Sequence, residues 1–193
     1  MIRSWTELKN NGEEDLGVEY VSSFALLGID KEGLLSTDEK LEVLIARNAW
    51  QKELIWNRFS MDQLGMSISQ PDKVRRSSQT ISVGNTGNWS TKNYLPMGCL
   101  KNKETDSILF WQIEQNGSWY WEISDQDGHM YLQLSGPTEH QSHWWKNLKP
   151  GDTFASVPVS VGSACGDVEE AAGHEANQQG IYISVCLLYT SPS

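Results

Sequence analysis

The stretch FWQIEQNGSWYWEIS, Phe110 to Ser124, sets Phe110, Trp111, Trp119, Tyr120 and Trp121 on either side of an Asn-Gly pair. Asn116-Gly117 is the strongest short signal for a two-residue type I′ turn, which needs positive φ at both central residues. A hairpin through that turn pairs Glu114 with Trp119, Gln112 with Trp121 and Phe110 with Ile123, all on one side. Leu109, Trp111, Ile113, Tyr120 and Glu122 take the other. Both sides are largely apolar, so the pair is expected to be covered on both faces rather than wet on one. Burial of one such ring removes about 150 to 250 Å² from water, about 4 to 6 kcal/mol gross at roughly 25 cal/mol per Å². Stacking on a sugar would use one face only. The rings therefore read as core in preference to a binding platform. Trp144-Trp145 divides the same way, because neighbours on a strand point to opposite sides.

Outside this stretch the chain also reads as β. IRSWTEL, KNNGEED and LGVEYVSSFAL suggest a strand, a turn and an alternating strand, hence a hairpin over the first residues. STDEKLEVLIARNAWQKELIWNRFS has a possible cap at Ser36 or Thr37, but Leu41, Val43, Ile45, Leu54 and Trp56 keep strand period, and two strands are expected. Residues 61–98 are rich in Ser, Asn, Gly and Thr and read as a long loop with at most one short strand. DQDGH turns the chain into MYLQLSG, and Pro150-Gly151 precedes a further strand. Only GDVEEAAGHEANQQ, residues 166–179, reads as a helix, with Asp167 near its start. The fold class is all-β, with antiparallel strands and one short C-terminal helix.

Composition narrows the partners. The 193 residues suit a single domain able to bury roughly 70% of its unfolded surface. Fifteen Lys and Arg against twenty-five Asp and Glu leave a net charge of −10, which disfavours nucleic acid and anionic membranes. There is no run of about eighteen apolar residues and no apolar leader at MIRSWTELKNNG. Cys99, Cys165 and Cys186 lie far apart, without C-x-x-C or zinc spacing, which fits a reducing compartment and a cytoplasmic location. The sequons at Asn88 and Asn116 are short patterns that arise by chance.

No catalytic constellation emerges. Glu122, Asp125 and Asp127 belong to a turn-rich segment that lacks the later Gly and distal Glu of a calcium loop. His140 and His143, three apart on a strand, would face opposite ways and could share a ligand only through a helix or bend. Ser90, Ser135 and Ser163 lack a nucleophile elbow, and there is no phosphate loop. No metal and no cofactor is expected.

LGVEYVSSFAL, GNWSTKNYLPMG, LFWQIEQNGSWYWEIS, YLQLSGPTE and LKPGDTFASVPVSVG together, in this order from about Arg3 to about Ala172, resemble the N-terminal β-supersandwich region of family 36 glycoside hydrolases, the α-galactosidases. The resemblance implies that residues 1–185 are part of that domain, starting inside it. It also implies a following TIM-like barrel that carries two catalytic Asp, a nucleophile and an acid/base, acting on terminal α-galactosyl groups with retention. The motifs around those carboxylates are not found here, so no catalytic residue is assigned. Implied partners are the barrel, an α-galactoside substrate reached through the whole enzyme, and further copies in a homo-oligomer. Some family members use loops of this domain to border a neighbouring active site. Trp89 and Lys92, in GNWSTKNYLPM, are the candidate substrate-rim or interdomain residues. CLLYTSPS, residues 186–193, reads as translated sequencing adapter and is set apart from the fold. The competing reading is a free-standing carbohydrate-binding β-sandwich that stacks sugar on Trp119, Trp121 or Trp144.

Overall fold

A computed structural model describes residues 1–49, 51–66, 79–126 and 128–166. Its strands are β1 (Ile2–Ser4), β2 (Glu7–Lys9), β3 (Leu16–Val18), β4 (Ser22–Leu27), β5 (Leu41–Ala49), β6 (Lys52–Ser60) and β7 (Ile81–Asn85). After them come β8 (Tyr94–Asn102), β9 (Ser107–Ile113), β10 (Trp119–Gln126), β11 (His129–Ser135), β12 (Lys146–Leu148), β13 (Thr153–Ala155) and β14 (Val159–Cys165). Two single helical turns, α1 (Thr37–Lys40) and α2 (Glu139–Ser142), interrupt them. At the start of α1, the Glu39 carboxylate accepts from the Ser36 N–H at 3.2 Å and its hydroxyl at 2.8 Å. The chain then leaves helical geometry at Leu41, and the apolar alternation of β5 takes over.

A six-stranded sheet in the order β1-β14-β9-β8-β5-β6 faces a four-stranded sheet in the order β4-β11-β10-β7. All their pairings are antiparallel. Two-stranded ladders β12-β3 and β13-β2 complete the strand pairs. The core between the large sheets takes Val43, Ile45, Leu100, Trp111, Ile113, Val159 and Val161 from one side. Val83, Trp119, Trp121, Ile123, Leu132 and Leu134 come from the other. Alternation along β10 explains this, since Trp119, Trp121 and Ile123 are buried while Tyr120 and Glu122 turn to the opposite face. The six-stranded sheet also has an apolar second face, where Leu44, Cys99 and Ile108 are buried against Trp56, Phe110 and Ala164. Glycine makes room for the rings on both of its faces. Trp111 lies within 2.5 Å of where a Cβ on Gly98 would stand, and Phe110 fills the same space at Gly162.

The all-β class and the core position of the rings agree with the sequence, but the pairing does not. The expected hairpin through Asn116-Gly117 is absent: β9 pairs with β8 and β14, and β10 with β7 and β11. Neither Asn116 nor Gly117 has positive φ, so no type I′ turn forms there. Residues 114–118 instead carry the chain from one sheet to the other, and Trp111 meets Trp121 across the core at 5.1 Å in an edge-to-face contact. The N-terminal hairpin is also overturned, because β1, β2, β3 and β4 pair in turn with β14, β13, β12 and β11. Two strands over 41–60 are found as expected, meeting in a hairpin. Residues 61–98 hold more strand than expected, with β7 and the first half of β8 inside them. His140 lies on α2 and His143 caps it in left-handed geometry, so the strand reading of that pair fails. The helix expected at 166–179, Asp127 and the tail 186–193 lie outside the described residues, save Gly166.

Candidate functional site

Residues 86–93 link β7 to β8 and form the connection that displays Trp89 and Lys92. Asn85, at the buried end of β7, donates from Nδ2 to the Trp89 carbonyl at 2.6 Å. The core indole of Trp119 donates from Nε1 to the Ser90 carbonyl at 2.7 Å. Asn48, near the end of β5, donates from Nδ2 to the Thr91 carbonyl at 2.7 Å and from its backbone N–H to the Asn93 carbonyl at 3.0 Å. Gly87, at φ 95°, donates its N–H to Ser118 Oγ at 3.0 Å and so ties the loop to the corner after β9. Loop carbonyls at 89, 90, 91 and 93 thus rest on donors supplied by both sheets. This satisfies backbone groups that a connection over the core must otherwise expose.

Trp89 is 61% exposed, and Lys92, three residues on in the same connection, is exposed too. Where the strand resumes, the Arg47 guanidinium lies over the Tyr94 ring at 5.2 Å. An exposed indole on an anchored backbone is an apolar plate with one N–H donor, and the Lys92 ammonium is a charged donor. An exposed ring and an exposed ammonium on one connection can stack and hydrogen-bond.

Other candidates separate clearly. Trp119 and Trp121 are 1% and 0% exposed and closed off between the sheets, so they form no sugar platform. Trp144 is half-buried against Phe154 at 5.5 Å, while Trp145 is 65% exposed; both precede β12, so the strand on which their split was expected is absent there. Glu122 is not the turn carboxylate its neighbours suggest. It accepts from the Tyr120 hydroxyl at 2.5 Å and the Tyr131 hydroxyl at 2.8 Å on the outer face of the four-stranded sheet. Burial, with Glu122 alongside, pushes the Tyr120 and Tyr131 phenols up, and Tyr20 rises to about 12, mainly through burial. Only Tyr120 and Glu122 at alternate positions of β10, with Tyr131 on β11, could have shown this group from sequence, and that depends on a cross-strand register.

His140 and His143 are exposed, with His143 Nδ1 at 3.7 Å from Glu139. Among the described residues, no three His, Cys, Asp or Glu side chains gather to hold a metal ion. Cys99 and Cys165 are free thiols there, and burial pushes Cys99 up to about 12. No helix among the described residues is long and apolar enough to cross a membrane.

No protein-family model and no curated protein sequence matches the chain. Solved structures do match its fold. The galactosidase domain of the α-galactosidase-sucrose kinase AgaSK is 18% identical at a TM-score of 0.64, over 84% of this chain and 20% of its own. The GH36 α-galactosidase AgaA from Geobacillus stearothermophilus is 15% identical at 0.61, over 83% of this chain and 19% of its own. The α-galactosidase from Lactobacillus brevis is 15% identical at 0.65, over 88% of this chain and 20% of its own. The chain therefore has the fold of a region that makes up about a fifth of these α-galactosidases.

Proposed function

We propose that this chain is the N-terminal β-domain portion of a family 36 glycoside hydrolase, an α-galactosidase, and that it contributes no catalytic group of its own. The observation that carries this reading is the fold likeness over 84% of the chain, together with the ordered motifs of its sequence. In the parent enzyme a barrel downstream supplies two carboxylates, one attacking the anomeric carbon and the other protonating the leaving oxygen and then activating water. Terminal α-galactosyl groups are the substrate class. The β-domain packs against that barrel, and the enzyme works as a cytoplasmic homo-oligomer.

Trp89 and Lys92 act in this scheme at a substrate rim or an interdomain contact. Six hydrogen bonds around residues 85–93 support that role, because an aromatic plate held in place loses little freedom when a ring or a neighbouring domain closes on it. The free-standing carbohydrate-binding sandwich is the weaker reading, since two of its three candidate tryptophans, Trp119 and Trp121, are enclosed, and Trp144 is half-buried against Phe154.

The intact genomic locus tests the proposal. An open frame that continues past Val185 into a barrel sequence with two catalytic aspartates is expected. A stop codon soon after Val185 would contradict it.

A further inference from the structure

The chain contains two Asn-Gly pairs, Asn11-Gly12 and Asn116-Gly117, and the structure treats them differently. Asn11 and Asn116 are both exposed. The Gly12 N–H, however, donates to Asn10 Oδ1 at 3.0 Å. Asn10 is only 4% exposed and is fixed by its own Nδ2, which donates to the Glu14 carbonyl at 2.7 Å and the Leu148 carbonyl at 2.9 Å. Among the described residues, neither the Gly117 N–H nor the Asn116 side chain has a hydrogen-bond partner. Within the corner the Gln115 N–H donates to the Ile113 carbonyl at 3.1 Å and the Asn116 backbone N–H to Gln115 Oε1 at 3.2 Å, and its flanks are held by Glu114 N–H on the Pro158 carbonyl at 2.9 Å and by Ser118 Oγ under the Gly87 N–H at 3.0 Å.

We infer that Asn116 is a site of spontaneous deamidation in the folded protein, and that the buried Asn10 side chain shields Asn11 from the same reaction. The nucleophile is the Gly117 backbone nitrogen. A base removes its proton, the nitrogen bonds to Asn116 Cγ, the Cγ–Nδ2 bond breaks and ammonia leaves, closing a succinimide. Water then opens the ring at Cγ to give aspartate, or at the backbone carbonyl to give isoaspartate. The net change is one water consumed and one ammonia released, with no redox step. Glycine at the following position leaves the approach uncrowded and the backbone free to reach the attacking geometry. At Gly12 the same nitrogen is occupied as a donor, and a buried, doubly bonded Asn10 must move before it can attack.

The consequence falls on the connection 86–93. Isoaspartate adds a methylene to the corner backbone and either product adds a negative charge, one residue from Gly117 and two from the Ser118 hydroxyl that holds Gly87. Conversion at Asn116 is thus expected to loosen the segment that presents Trp89.

The test compares the two sites within one sample. The full chain is incubated at mildly alkaline pH, once folded and once in denaturant, and peptide mapping with isoaspartate-specific methyl transfer follows both sites over time. Folded protein is expected to accumulate product at Asn116 well ahead of Asn11, whereas unfolded chain converts both at similar rates. Gly117→Ala should suppress the Asn116 product while leaving Asn11 unchanged. The variant has room, because Gly117 lacks positive φ and the nearest atoms to an added Cβ stand 3.8 Å away. Equal conversion of both sites in folded protein, or an Asn116 that reacts only after unfolding, would overturn the inference.

Discussion

Trp121 has no exposed surface, and its ring stands edge-on to Trp111 at 5.1 Å, so the two indoles join the sheets at the centre of the core. Trp121→Ala is expected to cost about 3 to 5 kcal/mol in urea unfolding, the usual range for a large aromatic truncated in a packed interior. A cost below about 1 kcal/mol would show that the ring is not enclosed. Gly98→Ala probes the same contact from the other side, since its methyl would overlap the Trp111 ring; overpacking of this kind costs about 1 to 3 kcal/mol. Tyr20 gives a pH signature. Its phenol rises from an ordinary 10 to about 12, so the folded chain holds a proton that the unfolded chain gives up first. Stability from this group is complete below pH 10 and falls as pH climbs toward about 12, which alkaline unfolding followed with tyrosinate absorbance would record. The burial of the tryptophans was legible in the sequence because large apolar area admits few other placements. The Glu122 contacts were not, since they join strands whose register only the fold sets.

At the scale of elements, Asn116-Gly117 shows where local reasoning stops. The pair favours a tight hairpin, yet β9 finds partners for all of Ser107 to Ile113 along β14 and a second ladder on β8. β10 gains ladders on both β7 and β11. Each strand thus has a ladder on both edges without the hairpin, and the chain crosses between sheets instead. The N-terminal strands follow the same logic, running back along β14 to β11, whose positions no nearby residue encodes. The strands β5 and β6 and the turn between β10 and β11 were legible from local patterning, and the fold pairs each set as a hairpin between sequence neighbours. The connection 86–93 belongs to this scale as well. Asn85→Ala removes the donor on the Trp89 carbonyl and is expected to speed amide exchange across residues 86–93. Its global cost is about 1 to 3 kcal/mol, the range for a buried polar group left unpaired. Unchanged exchange in that segment would show that the anchor does not hold Trp89. The resemblance marked Trp89 and Lys92 as candidate rim or interdomain residues; the anchors come from β5, β7 and β10, distant stretches that a linear reading does not connect.

At the scale of the whole molecule, the first four strands have partners only near the other end of the described chain, so the fold closes through contacts distant in sequence. Such topology folds slowly, and stopped-flow refolding is expected to lie in the millisecond to second range rather than in microseconds. The functional account concerns the same scale, because the proposed role is that of a supporting domain within a larger enzyme. The fold likeness spans about a fifth of the α-galactosidases it matches, and the proposed chemistry lies in the remaining part. Release of nitrophenol from a nitrophenyl α-galactoside, measured side by side for this chain and for the product of the intact gene, tests that division most directly. The account predicts no turnover by the chain and turnover by the whole gene product; hydrolysis by the chain alone, or none by the whole, would contradict it.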